Sequence, residues 1–108
     1  MIRAGDFARR LGRIEHNATH GRSRAYRRKA VRALVKRAGA ALIVPRGRVV
    51  GYRLPDGGVA CTKQRYRSQE AADAELARIG RHAQRAYVPV RTYLCEWCGG
   101  YHLTSRAR

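Results

Sequence analysis

The stretch that says most about the fold is CEWCGGYH, residues 95–102. Cys95 and Cys98 have the CxxC spacing of a zinc knuckle, and Gly99 lets the backbone turn tightly while both thiolates face one ion. Two ligands do not hold zinc alone. His102 lies four residues past Cys98, and Cys61 ends a predicted strand. The pattern therefore predicts a Cys3His site for Zn²⁺, with the ligands Cys61, Cys95, Cys98 and His102.

The sequence leaves two alternatives to this ligand set. His82 could take the place of His102, and nothing near Cys61 completes a second knuckle. The other alternative is three buried, reduced cysteines and an ordinary surface histidine. Cys95 and Cys98 are the two ligands that the spacing supports best.

The predicted zinc site is structural rather than catalytic. A hydrolytic or deaminating zinc site needs an open coordination position and a general acid or base. The sequence contains neither HxE nor HExxH, and Glu96 inside the knuckle is expected to face solvent. It also has no Walker loop, no nucleophile elbow and no paired carboxylates in its basic half. We therefore expect no enzymatic activity and no small-molecule substrate.

The charge balance indicates a polyanionic partner. The chain has 24 basic residues, all but three of them arginine, against 7 acidic ones, and its formal net charge is +17. Such a charge opposes compaction, and arginine grips phosphate through its planar fork. Residues 1–50 carry 14 basic and 2 acidic residues, whereas residues 51–108 carry 10 and 5. We expect nucleic acid, DNA or RNA, as the partner and the N-terminal half as the part that binds it.

Length and apolar content restrict the class of protein further. A chain of 108 residues has room for one compact domain. Its single Phe, Trp and Met indicate a small apolar core that needs a disulfide, a metal or a partner surface for stability. No apolar run approaches the roughly 18 residues of a membrane span, and the first residues lack a secretion signal. We expect a protein of the bacterial cytoplasm, where thiols stay reduced and three cysteines favour a metal over disulfides.

The first predicted element is a short amphipathic helix. Asp6 is expected to cap it. Its apolar face consists of Phe7, Leu11 and Ile14. Residues 16–22 are polar and have a glycine, Gly21, near their end, so they are expected to form a linker.

A second helix is predicted over residues 24–38, with Ser23 as its N-cap and Gly39 at its end. Its apolar stripe is Tyr26, Ala30, Leu34 and Ala38. The neighbouring stripe holds cations that repel one another, a cost that a bound phosphate backbone would remove. The residues predicted to bind nucleic acid are Arg24, Arg27, Arg28, Lys29, Arg32 and Lys36, with Arg46 and Arg48 at a hairpin tip. The alternative is a solvated basic face and a solvated turn.

The remainder of the sequence predicts three strands, then one further helix, then a last strand. Residues 41–44 and 49–54 form a predicted hairpin, and residues 59–61 form a third strand after the turn at 55–58. Ser68 is expected to cap a helix over residues 69–79. A last strand is predicted over residues 87–95.

These elements predict an α+β fold. A small β-sheet, built from the strands near residues 41–61 and 87–104, is crossed by one helix and stapled by zinc. A basic helical N-terminal segment, residues 1–40, precedes this zinc-binding α+β domain, residues 41–108.

One part of the sequence resembles a known group of proteins. The pattern Cys61-x-Lys63-x2-Tyr66, followed about thirty residues on by CxxCGGYHLT at 95–104, is similar to small zinc-finger-like proteins of actinobacterial phages and prophages. The resemblance covers residues 61–105, and Tyr101 stands where that group usually has Trp. It implies a small zinc domain with the four ligands named above, and it implies no particular activity.

Together these features predict a small basic zinc protein that binds nucleic acid, as a phage or phage-derived regulator. An alternative is an accessory or inhibitory protein that docks on a host assembly, either the ribosome with its rRNA or RNA polymerase. A further alternative is a basic face that binds an acidic host protein.

Overall fold

The computed structural model describes residues 1–21, 23–80 and 89–106. These residues form three helices and five short strands, which confirms the predicted α+β class. The chain divides into two compact units, Met1–Thr62 and Lys63–Arg108. Among the helices of the described ranges, none combines the length and apolar content that a membrane span requires.

The first helix, α1, is longer than predicted, because it runs from Ala4 to Thr19. Asp6 does not cap it. Arg3 is the N-cap residue and supplies no side-chain cap, and Asp6 lies in the first turn, where it pairs with Arg9. The segment predicted as a linker is therefore helical as far as Thr19, whose hydroxyl donates a hydrogen bond to the Glu15 carbonyl.

The second helix, α2, matches its prediction at both ends and spans Arg24–Ala38. Ser23 Oγ accepts a hydrogen bond from the Tyr26 N–H at 3.2 Å. Gly39 ends the helix at φ 65°, a left-handed conformation that glycine adopts without a Cβ clash. Leu34 and Ala38 of the predicted stripe are buried, whereas Tyr26 and Ala30 are half-buried.

We expect Ser23→Ala to lower the free energy of unfolding of this helical region by about 1 kcal/mol, because an N-terminal N–H loses its acceptor. Urea unfolding followed by far-UV circular dichroism measures the change. Ser105→Ala is the control, since Ser105 is exposed and caps no helix; its effect should stay within about 0.5 kcal/mol. Equal effects of the two substitutions would contradict the capping role.

Three antiparallel strands complete the first unit: β1 (Ala41–Ile43), β2 (Gly51–Arg53) and β3 (Val59–Cys61), in the order β1-β2-β3. Gly51 lies opposite Cys61 in the register. A Cβ at Gly51 would come within 3.0 Å of the Ala60 carbonyl oxygen, so glycine is what allows β2 to lie this close to the strand that ends in Cys61.

The core of the first unit is shared by both helices and this sheet. Phe7 and Leu11 of α1 and Leu34 of α2 lie in one buried cluster with Tyr52 and Leu54. The Phe7 and Tyr52 rings lie 5.1 Å apart at a tilt of 46°. Both helices and the three-stranded sheet therefore belong to one unit, which ends at Thr62.

The second unit contains α3 (Gln69–Gly80), β4 (Arg91–Leu94) and β5 (Tyr101–Thr104). Ser68 Oγ accepts a hydrogen bond from the Ala71 N–H, as its predicted capping role requires. Helix α3 packs on β4 and β5 through a small cluster of Ala72, Ile79 and Leu103.

The strands form two sheets instead of the single predicted one. β4 and β5 pair only with each other among the described strands, with Tyr93 opposite His102. The last strand was predicted from residue 87, and it begins at Arg91; residues 81–88 lie outside the described part of the chain. The sequence pattern identified β1 to β4, but it did not indicate β5 as a separate strand and did not determine which strands pair.

Candidate functional site

Four predicted ligands lie close together. The sulfur atoms of Cys61, Cys95 and Cys98 and a ring nitrogen of His102 all lie within 4.8 Å of one another. None of these three cysteines is in a disulfide bond. Cys95 and His102 are buried, and Cys61 and Cys98 are half-buried. The four side chains could therefore hold one metal ion, and they are not three unrelated cysteines beside a surface histidine.

The turn between β4 and β5 has the geometry of a metal-binding knuckle. The Cys95 N–H donates to the Gly100 carbonyl at 2.8 Å, and the Gly99 N–H donates to the Cys95 carbonyl at 3.1 Å. Gly99 has φ 72°, so a residue with a Cβ would be strained here. The turn thereby brings both cysteine side chains of the CxxC pair to one side.

Backbone amides support both thiols of this turn. The Trp97 N–H lies 3.4 Å from Cys95 Sγ, and the Gly100 N–H lies 3.4 Å from Cys98 Sγ. These two contacts fix the positions of both sulfur atoms relative to the backbone of the turn.

His102 is oriented by a hydrogen bond from its other ring nitrogen. Its Nδ1 lies 2.7 Å from the Gln64 carbonyl oxygen, so Nδ1 carries the proton and donates it. Nε2 is then the free acceptor, and it lies 3.4 Å from Cys98 Sγ. In a tetrahedral zinc site, bonds of about 2.3 Å to sulfur and about 2.0 Å to nitrogen separate these two atoms by about 3.6 Å. The observed spacing fits one edge of such a tetrahedron.

The surroundings of His102 keep its ring neutral. The side chain is only 1% exposed, and burial lowers its pKa below the ordinary histidine value. The hydrogen bond to Gln64 acts in the opposite direction, while the charges of Lys63 and Arg65 lower the pKa further. A neutral imidazole is the form that ligates a metal.

The four donor atoms of the cluster are of the kind that zinc and other soft metal ions prefer. Three thiol sulfurs and one imidazole nitrogen supply four ligands, and no carboxylate belongs to the cluster within the described ranges. Four such ligands would match the tetrahedral coordination of a structural zinc site. His82, the alternative ligand, lies outside the described residues.

The cations predicted to bind nucleic acid fall into three groups. Those on α2 that are exposed are Arg24, Arg28, Lys29, Arg32 and Lys36, and we call them the basic face of α2. Arg46 and Arg48 are exposed in the connection between β1 and β2. Arg27 differs, because it is half-buried.

Arg27 makes an ion pair inside the first unit. Its Nε donates to Glu15 Oε1 at 2.7 Å, and a terminal nitrogen lies 2.6 Å from the same oxygen. The hydrogen bond to Glu15 raises the pKa of Arg27 above the usual arginine value. Arg27 thus links α2 to α1, a role that the helical pattern alone did not indicate.

The main contributor that sequence reasoning missed is Gln64. It acts through its backbone carbonyl, which any residue type supplies, so the residue identity carries no signal. Outer partners of this kind hold the ring orientation and the tautomer of metal-binding histidines. Comparison of the chain with family models, with curated proteins and with solved structures returns no match, so the interpretation of the site depends on this geometry.

Proposed function

We propose that the protein binds one structural Zn²⁺ ion through Cys61, Cys95, Cys98 and His102, and binds nucleic acid through the basic face of α2. The observation that carries the second part is a capped helix with one buried side and one exposed cationic side. We propose no catalytic role for the metal, because its four ligands complete the coordination shell.

Zinc is the metal that suits these donors. Thiolate and imidazole ligands in tetrahedral arrangement favour zinc over magnesium or calcium, which prefer oxygen. Iron–sulfur clusters are usually held by four thiolates, whereas one ligand here is histidine. The buried apolar cluster of the second unit is small and consists of Ala72, Ile79 and Leu103. A bound zinc ion would therefore supply stability that this core lacks.

The basic face of α2 supports a phosphate-binding role in two ways. The sequence of the helix, RAYRRKAVRALVKRA, has seven cations and no acidic residue. Both ends of the helix are capped, and Leu34 and Ala38 bury one of its sides in the first unit. The cations of the basic face therefore lie on its exposed side. Like charges at this spacing destabilise a helix by a few tenths of a kcal/mol per pair, and bound phosphates reverse that effect.

Ion pairing within the protein leaves this face available. The acidic residues Asp6, Glu15 and Glu75 pair with Arg9, Arg27 and Arg78. No described acidic side chain pairs with Arg28, Arg32 or Lys36. These three cations are free to exchange bound counterions for phosphate oxygens.

The test is the salt dependence of binding to a labelled oligonucleotide, measured for wild type and for the double variant Arg28→Ala/Arg32→Ala. Each phosphate contact contributes about −0.9 to the slope of log affinity against log salt on duplex DNA and about −0.7 on a single strand. We expect the slope to fall in magnitude by about one to two units on every sequence, because phosphate contacts carry no sequence information.

The matched control removes the same charge elsewhere. Arg53→Ala/Arg67→Ala also deletes two exposed arginines and should change the slope by less than half as much. A second arm, Arg46→Ala/Arg48→Ala, measures the contribution of the β1–β2 connection. An unchanged slope in the folded, zinc-loaded Arg28/Arg32 variant would contradict the proposal and favour a host protein as the target.

A further inference from the structure

We propose that a groove between α1 and α2 binds an acidic amphipathic helix of a partner protein. The groove has a volume of about 530 Å³ and lies entirely within the first unit. Its lining residues are Arg10, Arg13, Ile14, Ala30, Ala33, Leu34 and Arg37. We call the four aliphatic lining residues the floor, of which Ala33 is exposed, and the three arginines the rim. None of these three arginines belongs to the basic face of α2, so the cations of the groove differ from those of the proposed nucleic-acid surface.

The floor is suited to an apolar side chain. All four floor residues are aliphatic, and two of them are alanines, which leave room for side chains of a second helix. A phosphate backbone gains nothing by covering such a surface. A nucleobase would be expected on an aromatic ring, and no aromatic residue lines the groove.

The rim selects for negative charge on both sides of the apolar floor. Arg10 and Arg13 lie on one helix and Arg37 lies on the other, and within the described ranges no acidic side chain pairs with any of them. Elsewhere in this unit, Arg9 and Arg27 do pair where a carboxylate is within reach.

The complementary ligand therefore has an apolar stripe with acidic residues on both flanks. A helix with leucines at i, i+4 and i+7 and glutamates beside them has this pattern, which is a recurring mode of helix-in-groove recognition. The cations on both walls also disfavour a basic helix, so the groove discriminates by charge as well as by shape.

The experiment uses the full chain, loaded with zinc, and a synthetic acidic helical peptide of about 18 residues with that pattern. Ala33→Gln places a longer side chain on the groove floor without altering the net charge, and we expect it to weaken peptide binding about tenfold. The matched control is Ala25→Gln, which makes the same exchange at an exposed site of α2 outside the groove and should leave binding unchanged.

Charge is tested by a second matched pair. Arg37→Gln removes a rim cation and should weaken peptide binding about two- to fivefold, whereas Arg28→Gln on the basic face should have a smaller effect. Fluorescence anisotropy of the labelled peptide measures all four variants, and circular dichroism verifies that each is folded.

Three results would overturn the proposal. The first is equal peptide affinity of Ala33→Gln and Ala25→Gln. The second is equally tight binding of a scrambled peptide of the same composition, which would show that charge alone is sensed. The third is loss of oligonucleotide affinity in Ala33→Gln together with competition between oligonucleotide and peptide, which would assign the groove to nucleic acid.

Discussion

Replacing His102 by Gln is expected to release the bound zinc and unfold the second unit, whereas His20→Gln should retain about one zinc per chain. The two histidines differ in burial: His102 is 1% exposed and faces Cys98 Sγ, and His20 is exposed near the end of α1. Structural zinc in small domains contributes on the order of 10 kcal/mol of apparent binding free energy, so losing one of four ligands costs several kcal/mol. Elemental analysis and thermal unfolding with and without a chelator measure the effect.

The cysteines test the rest of the ligand set. Cys61→Ser should reduce zinc content nearly as much as Cys95→Ser, because both sulfurs belong to the same cluster. His82→Gln is the additional control, and it should leave zinc content unchanged. Wild-type protein without zinc, a melting curve that a strong chelator does not shift, or zinc loss in the His82 variant would each contradict the assignment.

Phe7→Ala is expected to lower the free energy of unfolding of the first unit by about 3–5 kcal/mol. Phe7 is fully buried and its ring lies against Tyr52 of β2, so truncation removes apolar burial and leaves a cavity between α1 and the sheet. A domain of this size has a total stability of roughly 5–15 kcal/mol, which makes this a large fraction. Urea unfolding followed by far-UV circular dichroism measures the change.

A matched pair of leucines controls for the loss of a large apolar side chain. Leu54→Ala removes a residue that is 2% exposed and should cost about 2–5 kcal/mol, whereas Leu42→Ala removes one that is 52% exposed and should cost less than about 1 kcal/mol. Phe7→Leu keeps an apolar group and should cost less than Phe7→Ala. If Phe7→Ala and Leu42→Ala had equal effects, α1 would not be part of the core.

The elements that the sequence predicted well are those that local chemistry specifies. Ser23 and Gly39 bound α2 because a hydroxyl can accept a terminal N–H and glycine can adopt a left-handed conformation, both within a few residues. The turn at residues 95–100 is local in the same sense, since the hydrogen bonds within it join residues at most five positions apart. Composition was sufficient to indicate a cationic surface.

Contacts between distant residues decided the remaining features. Glu15 lies directly before the segment that was predicted as a linker, and its pairing with Arg27, twelve residues on, accompanies the extension of α1 to Thr19. Likewise, His102 reaches its orienting partner Gln64 across 38 positions. Neither pairing has a periodic signature in the sequence.

By itself, the sequence determined the class of fold, the ends of α2, the CxxC pair and the excess of positive charge. Only the tertiary structure decided that the strands form two sheets, that both helices share a core with the first sheet, and that three arginines border an apolar groove. The physical reason is that caps, turns and periodicity depend on neighbours along the chain, whereas strand pairing and core membership depend on which apolar surfaces bury each other most completely.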